Sequence, residues 1–367
     1  MRKLATIRRI SEINPIKGKD RVEMATVDGW TCMVSKADGF KPGSLCIFCE
    51  PDSVFPAIEQ WEFLKKYGYR IKTQRFRSDD GYVYSQGLVL PISALPSKRP
   101  AVIEVGDDMT SLLGITQYEP TMDKGEASLP KKKYPKWLMR FSWFRKLVLP
   151  KKGDTTFPSF ISKTDEERIQ NMPQILERPL SYIATEKIDG QSGTFVVVRH
   201  RFLFWSRYEF IVCSRNWRIP KPDGRSYWKV AEKYHIKEAL KGYLKKHPGL
   251  KWAAIQGECI DTNVQGNKYK VKEADLYVFN VMDSITRRYN TPTASVIAKS
   301  WGLKFVPIVD TRVKLEGYTV EQVLEYANGK SMLNKDTLRE GLVFRVVENG
   351  FISFKAVSPE FLFKYGE

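Results

Sequence analysis

The residue most suited to covalent chemistry is Lys187, in the run TEKIDG at residues 185–190. The strand-like run LSYIA precedes it and GTFVVV follows, so Lys187 is predicted to lie on a turn inside a sheet. A lysine amine is a nucleophile only when neutral, and cations or a metal nearby can lower its pKa from about 10.4. Taken alone, a K-x-D-G pattern is more often a surface charge than a reactive group.

Attack by such a lysine on the α-phosphate of a nucleoside triphosphate would form a phosphoramidate and release pyrophosphate. That reaction needs cations and a divalent ion at the phosphates, carboxylates to hold the ion, and an aromatic face for the base. The chain contains candidates for each of these roles, namely Arg215 and Asn216 in SRN, Glu258 in IQGE, Phe279 in LYVFN, Glu340 in REGLVFR and Lys355 in SFKAV.

Each candidate also has an ordinary structural interpretation. Phe279 lies in an apolar run and, without further context, is more often a core residue than a base-stacking one. Arg215 could form a surface ion pair, and Glu258 and Glu340 could accept backbone hydrogen bonds beside their strands. Asp189 could bond the turn backbone or help position the nucleotide, and the turn role is slightly favoured.

The order K-x-D-G, S-R-N, Q-G-E, L-Y-V-F-N, R-E-G-L-V-F-R and F-K-A-V resembles the covalent nucleotidyltransferases. These are the ATP-dependent DNA and RNA ligases and the GTP-dependent mRNA capping enzymes. The runs are similar to that superfamily's motifs I, Ia, III, IIIa, IV and V, in the correct order between Lys187 and Lys355. A single motif is weak, but six in order are a specific signal.

The regions before and after these motifs indicate which branch of the superfamily the chain resembles. Replicative-type DNA ligases and capping enzymes carry an OB domain after motif V, whereas only twelve residues follow Lys355 here. A β-barrel-like region instead precedes the motifs. Its runs GKDRVEMATVDGWTCMV, DSVFP and LLGITQYEP, and the later FISKTDEERIQN, resemble the ATP-dependent RNA ligases that have an N-terminal OB domain.

The resemblance implies a role for each motif residue. Lys187 would carry AMP, and Glu258 and Glu340 would bind a divalent metal, magnesium or manganese. The expected ATP contacts are Lys163 with the β- and γ-phosphates, Glu186 with the adenine amino group, Arg215 and Asn216 with ribose or phosphate, Phe279 with the adenine face, Lys355 with the α-phosphate, and Asp189 at the turn. Many ligases have K-x-K in motif V, so Ala356-Val357-Ser358 after Lys355 leaves the second lysine's role unassigned.

The fold class predicted for these residues is α+β, in two parts. Residues 1–120 read as short strands separated by turns such as Asp28-Gly29, which is typical of a small β-barrel of OB size. Residues 157–367 mix strands and helices and are predicted to form a nucleotidyltransferase (ATP-grasp-like ligase) domain. Its helices are predicted to begin near Thr164 and to cover 226–246, with others after Thr291 and Thr319.

The connecting segment, residues 121–156, contains much of the chain's positive charge. The sequence has 60 Lys+Arg against 42 Asp+Glu, a net charge of +18, and residues 127–152 hold seven lysines and two arginines with no acid. Cations and aromatics together are typical of nucleic-acid contacts, although a solvated linker is an equal alternative on composition. The predicted RNA contacts are Lys131, Lys132, Lys133, Lys136, Trp137, Arg140, Arg145 and Lys146.

These features predict an ATP-dependent RNA ligase that joins 3′-hydroxyl and 5′-phosphate ends through lysyl-AMP. The alternatives are a DNA ligase of the same chemistry and a non-catalytic RNA-binding OB protein. We expect RNA as the partner, in a nicked duplex or as broken ends, no membrane association, a monomer and a cytoplasmic location. Five cysteines are too few for a disulfide framework, and Cys46-x-x-Cys49 has no second ligand pair at metal spacing.

Overall fold

A computed structural model of the chain describes residues 3–79, 81–97, 100–118, 155–202, 205–348 and 350–365. The basic segment 127–152, with all eight predicted RNA contacts from Lys131 to Lys146, lies outside the described residues. Within the described ranges, none of the helices is both long and apolar enough to cross a membrane.

The N-terminal region is built from short antiparallel strands, as the turn spacing predicts. They pair as β1-β5-β9, β2-β3-β4, β7-β8 and β6-β10. The strands are β1 Ala5–Arg9, β2 Glu12–Pro15, β3 Val22–Val27, β4 Trp30–Ser35, β5 Leu45–Cys49, β6 Ser53–Val54, β7 Gln74–Ser78, β8 Gly81–Ser85, β9 Leu88–Leu90 and β10 Thr116–Gln117. Short 3₁₀ helices span Lys36–Asp38, Glu59–Tyr67 and Ile92–Ala94.

Strand β5 is the centre of this region because its two faces enter two apolar clusters. Ile47 and Cys49 pack with Trp61 and other residues of the 3₁₀ segment, whereas Cys46 and Phe48 pack with Trp30 and its neighbours on β3 and β4. All five cysteines are buried and free. The small β-rich domain predicted from the sequence is therefore present, and Cys46 and Cys49 are core positions on opposite faces of one strand.

The C-terminal region contains two sheets with helices packed on them, and their strands pair antiparallel except for the parallel pair β15–β16. One sheet has the order β17-β11-β18-β19 and the other β13-β12-β14-β15-β16. The strands are β11 Ser181–Lys187, β12 Gln191–Arg201, β13 Ser206–Cys213, β14 Trp252–Ile260, β15 Asp275–Asp283, β16 Lys304–Phe305, β17 Ile308–Lys314, β18 Gly341–Val346 and β19 Ser353–Val357. The helices are α1 Ser226–Lys233, α2 Ile236–Lys246, α3 Thr291–Ser300, α4 Val320–Tyr326 and α5 Pro359–Tyr365, with 3₁₀ turns at Ile169–Asn171, Pro173–Glu177 and Gln265–Asn267.

Some of the helix predictions are confirmed by the structure and others are wrong. Helix α4 has the expected capping box, in which Thr319 and Gln322 bond each other's backbone amides. The single helix predicted over 226–246 is interrupted at His235, whose φ of 48° is left-handed. The helix predicted from Thr164 was wrong: that segment runs without regular structure and then forms two 3₁₀ turns. Its acids bind cations of the cleft described below, so tertiary ion pairs replace the local cap.

The two regions contact each other through buried side chains. Arg8 on β1 donates to the carbonyl of Gln170 at 3.0 Å and to Asn171 Oδ1 at 3.2 Å. The Arg168 guanidinium lies 5.1 Å from the centre of the Trp30 ring. Strand β1 of the N-terminal region is thereby bonded to the segment that leads into the C-terminal sheets.

Candidate active site

A cleft of about 770 Å³ lies between the two C-terminal sheets. Strand β11 of the first sheet ends at Lys187, and β12 of the second begins four residues later at Gln191. The K-x-D-G turn therefore crosses from one sheet to the other. Strand β18 pairs beside Lys187 through Gly341, and β14 brings Glu258 opposite Ser192. This crossover places residues that are far apart in sequence around Lys187.

Two glycines are required by the close approach of these strands. A Cβ on Gly190 would lie 2.6 Å from the carbonyl oxygen of Cys259 and 2.9 Å from Glu258 Cγ. At Gly341 the φ of 156° and the adjacent Ala356 carbonyl both exclude a side chain. The glycines after Asp189 and Glu340 thus allow the backbone to bring the lysine and the acids together.

Lys187 is held as an ammonium ion by acidic neighbours. Its Nζ donates a hydrogen bond to Glu340 Oε1. Burial alone lowers the pKa of Lys187, but Glu340, Glu258 and Asp189 together raise it above its usual value. The sequence suggested that cations depress this pKa. In the structure the three carboxylates raise this pKa instead.

Glu258 and Glu340 are the residues available to hold a cation. Burial, and to a smaller extent the charge of Glu340, raises the pKa of Glu258 to about 8 despite the opposing effect of Lys187. The described residues contain no cluster of three or more His, Cys, Asp or Glu arranged to hold a metal. Magnesium in phosphate-transfer sites is commonly held by one or two carboxylates, with waters and substrate phosphates completing its shell. This donor set therefore fits a metal that binds with the nucleotide.

The remaining cations meet at Asp165. Its Oδ1 lies 3.0 Å from Arg215 Nη2 and 3.2 Å from Lys355 Nζ. Burial, with the nearby Arg168 and Lys187 charges, lowers the pKa of Lys355 to about 8. Lys163 also lines the cleft. The predicted phosphate-binding residues Arg215, Lys355 and Lys163 therefore share one cleft with Lys187.

Two residues of the Lys187 motif are engaged in the surrounding structure. The Glu186 carboxylate accepts hydrogen bonds from the Ser331 hydroxyl at 2.5 Å and the Met332 amide at 2.8 Å. Asp189 forms an ion pair with Lys268, and its backbone amide donates to the Tyr269 hydroxyl at 2.7 Å. Both residues also line the main cleft, so the predicted contact of Glu186 with adenine stays a prediction.

Asn216 is not among the residues that line the main cleft. It lines a second cleft of about 330 Å³ together with Lys163, Trp217 and residues near Phe157. Phe279, by contrast, lines the main cleft with Lys187. The structure thus brings together the predicted lysines, both metal-binding acids, Arg215 and Phe279, and leaves Asn216 at the neighbouring cleft.

A buried ion-pair network around Glu166 was missed by the sequence reasoning. Arg345 is 5% exposed and donates to Glu166 Oε1 at 3.1 Å and to the Phe279 carbonyl at 2.7 Å. Ser353 donates to the same carboxylate, and Arg288 lies 3.6 Å from it. The run TDEER is typical of a helix start, so the signal that the sequence offers, three adjacent acids before motif I, was interpreted as a helix cap.

Comparisons with known proteins agree with this geometry. The sequence profile of the RNA ligase family matches residues 180–365, and that of an OB-fold domain family matches residues 4–92. Among solved structures, the chain is similar to Naegleria gruberi RNA ligase with PPi, at 32% identity and a TM-score of 0.73, over 100% of this chain and 99% of that one. A lysine-to-alanine mutant of the same ligase with ATP and Mn matches at 33% identity and a TM-score of 0.72, over 100% and 98%. No curated protein sequence matches.

The Glu166 network predicts a pH-dependent contribution to stability. Burial raises the pKa of Glu166, but Arg345, Ser353 and Arg288 lower it by more, so the net direction is downward. The contribution is therefore present above the unfolded pKa of about 4.3 and is lost as pH falls through the lower folded value. Glu166→Gln should reduce the free energy of unfolding by about 1–3 kcal/mol at pH 7, and the deficit should shrink below pH ~4.5.

Urea unfolding of the wild-type protein and of Glu166→Gln from pH 7 down to about pH 2 measures this difference, because the window lies below the unfolded pKa of about 4.3. Glu177→Gln, at an exposed position, is the matched control and should leave stability unchanged at every pH. A Glu166→Gln deficit that stays constant over the whole range would mean that packing, rather than charge, is responsible.

Proposed function

The chain belongs to the RNA ligase family and is an ATP-dependent RNA ligase with an N-terminal OB-fold domain, and from that premise we propose that it seals nicks in RNA duplexes by using Lys187 as the adenylated residue. The observation that carries the role of Lys187 is its position at the crossover between the sheets, hydrogen-bonded to Glu340 and close to Glu258. No other lysine of the described cleft is placed between two acids.

The first step forms a bond between Lys187 Nζ and the α-phosphorus of ATP and expels pyrophosphate. Lys187 must lose a proton to solvent before it attacks, and a divalent cation that engages Glu340, the present acceptor of its hydrogen bond, would favour that loss. A divalent cation held by Glu258 and Glu340 would neutralise charge on the phosphates. Because Glu258 has a pKa of about 8, it must give up its proton to bind that cation.

The second and third steps use the same cations on RNA. The 5′-phosphate of the RNA attacks the α-phosphorus, which breaks the bond to Lys187 and forms a 5′–5′ pyrophosphate linkage. The neighbouring 3′-hydroxyl then attacks the 5′-phosphate, and AMP leaves. Lys355 and Arg215, which both pair with Asp165, are proposed to exchange that carboxylate for phosphate oxygens.

We also propose a role for each part of the chain. The OB-fold domain, placed at residues 1–120, and the basic segment 121–156 would hold RNA, and the catalytic domain, placed at 157–367, would carry out the chemistry. An OB barrel could grip the duplex on the side away from the nick, which is an argument by analogy with other OB-containing ligases. The monomeric state and cytoplasmic location remain predictions.

Replacing Lys187 should abolish adenylation. With α-labelled ATP and Mn²⁺, the wild-type protein should acquire label, whereas Lys187→Ala should acquire none because the attacking nitrogen is gone. Lys65→Ala, an exposed lysine of the N-terminal region, is the control and should label normally. A labelled adduct on the Lys187→Ala protein would refute the assignment.

The same variant tests whether loss of labelling reflects chemistry or misfolding. An RNA strand that already carries a 5′-adenylate bypasses the lysine, so Lys187→Ala should still join it. Failure to join both the phosphorylated and the pre-adenylated strand would point to a misfolded protein.

The preference for RNA is tested by nicked duplexes that differ only in the terminal 3′ sugar. We expect a ribose 3′ end to be sealed faster than a deoxyribose end, and a nicked duplex faster than two single-stranded ends. Equal rates for ribose and deoxyribose would favour the DNA ligase alternative. Binding of RNA with no joining of any substrate would favour the non-catalytic alternative.

The proposed RNA contact of the basic segment predicts a change in salt dependence. Each phosphate contact contributes about 0.7–0.9 to the slope of log affinity against log salt. Changing Lys131, Lys132 and Lys133 to Gln should therefore weaken sealing and reduce the slope of log affinity against log salt by up to about 2–3 units. Lysyl-AMP formation should not change. If adenylation falls as much as sealing, the segment is a structural connector.

A further inference from the structure

The hairpin formed by β12 and β13 has two exposed aromatic rings at its tip. Phe202 is 51% exposed and Trp205 is 60% exposed. Their ring centres lie 4.3 Å apart with the ring planes 14° from parallel, and the Phe202 amide donates to the Trp205 carbonyl at 2.9 Å. Single exposed apolar side chains are ordinary on protein surfaces. Two rings stacked on each other in solvent instead form a flat surface on which a further planar group can stack.

The chain around this tip is strongly basic. Residues 199–207 and 241–251 contain three arginines and four lysines, with no aspartate or glutamate. Arg199 and Arg201 both donate to the carbonyl of Pro248, so the second stretch packs against the hairpin. Five of the seven cations are exposed and form no ion pair with another residue that the structure describes, namely Arg201, Arg207, Lys245, Lys246 and Lys251. We refer to the two rings and these five cations as the hairpin surface.

The hairpin surface lies at the opposite end of β12 and β13 from the cleft. Gln191, the first residue of β12, and Arg215, two residues after β13, both line the cleft. Strand β12 has 11 residues, which places the tip about 30 Å from the cleft at a rise of about 3.3 Å per residue. Nucleotides stacked at about 3.4 Å each cover that distance in roughly nine steps. The hairpin surface is therefore distinct from the residues around Lys187.

Exposed cations beside stacked rings suit an RNA segment whose bases are unpaired. Lysine and arginine contact the phosphates of a single strand, and its bases stack on aromatic faces. We propose that the hairpin surface binds unpaired nucleotides of the RNA substrate, with a base stacked on Phe202 or Trp205 and phosphates at the five cations. This inference rests on the proposed joining of RNA at the cleft. It extends the substrate from the joint itself to an unpaired segment roughly nine nucleotides away.

An anionic lipid surface also attracts cations and aromatic side chains. RNA is favoured because the same two strands reach the cleft in which RNA is proposed to be joined, so an RNA bound there can extend to the tip. The two partners also differ in what they require of the rings. Lipid accepts any large apolar side chain, whereas a base needs a flat aromatic face.

Binding of a fluorescent unpaired RNA of about twelve nucleotides to the full chain, measured by anisotropy, tests the rings. Trp205→Leu should weaken binding about tenfold because leucine offers no stacking face, whereas Trp205→Phe should stay within about threefold of wild type. Neither change should alter the slope of log affinity against log salt, since the ring carries no charge. Val296→Ala, at an exposed apolar position on α3, is the control and should bind as the wild type does.

The cations are tested in the same assay by Arg207→Gln. This change should reduce the slope of log affinity against log salt by about 0.7, the value for one phosphate contact of a single strand. The rings and the cations thus have different signatures, one in affinity at constant slope and the other in the slope itself.

Sealing assays test whether this binding serves the reaction. Nicked duplexes are compared with and without an unpaired tail of about twelve nucleotides, placed at the outer end of each arm in turn. With the tail on one of the arms, the wild-type KM should be about tenfold lower and kcat unchanged. In Trp205→Leu the tail should give no advantage, while lysyl-AMP formation and sealing of the duplex without a tail should not change.

Several outcomes would overturn the proposal. A tail that leaves the wild-type KM unchanged on both arms would do so, as would equal RNA binding by Trp205→Leu and the wild type. Sedimentation with phosphatidylcholine–phosphatidylserine vesicles that Trp205→Leu retains, together with unchanged RNA binding, would assign the surface to lipid. If Trp205→Leu loses sealing of the duplex without a tail, the variant is misfolded and the salt slope of Arg207→Gln decides.

Failure of the proposed function has a different result. If the wild-type protein forms no adduct with ATP and joins no RNA, the function proposed for the cleft is contradicted. The anisotropy measurements still decide in that case whether the hairpin surface binds unpaired RNA.

Discussion

The contact between the Lys187 ammonium group and Glu340, with Glu258 close by, is the interaction around which the catalytic region is organised. It requires strands β11 and β18 of one sheet to meet β14 of the other at a single crossover. The glycines at 190 and 341 are needed because any side chain there would collide with neighbouring backbone. The same contact favours the protonated form of the lysine and so raises its pKa.

The segment between Ser162 and Asn171 connects most of the other features. Its Ser162 carbonyl orients Gln256, its Asp165 pairs with Arg215 and Lys355, and its Glu166 holds Arg345. Its end accepts hydrogen bonds from Arg8 of the N-terminal domain. One irregular stretch therefore binds cations that line the cleft, the Gln256 amide and the N-terminal domain. Regular helix would not present its carbonyls and acids in so many directions, which explains why local capping signals predicted this stretch incorrectly.

Much of the fold followed from local patterns. Alternating apolar residues predicted the strands that carry every motif, and the capping box predicted α4, because these signals act within a few residues. The motif order identified Lys187, Glu258, Glu340 and Phe279 as partners without any distance between them. Patterns of this kind could not predict the break at His235 or the network around Glu166, since both depend on packing with residues distant in sequence.

The sequence by itself determined the chemistry: a lysine nucleophile, two acids, an aromatic residue and several cations in an order that resembles the RNA ligases. Tertiary structure alone decided the charge of that lysine, because the sign of its pKa shift depends on which buried charges surround it. It also decided that the basic stretch 241–251 lies against the β12–β13 hairpin, where Arg199 and Arg201 donate to the Pro248 carbonyl. Residues so far apart in the sequence meet only when the whole sheet has folded, which no local pattern encodes.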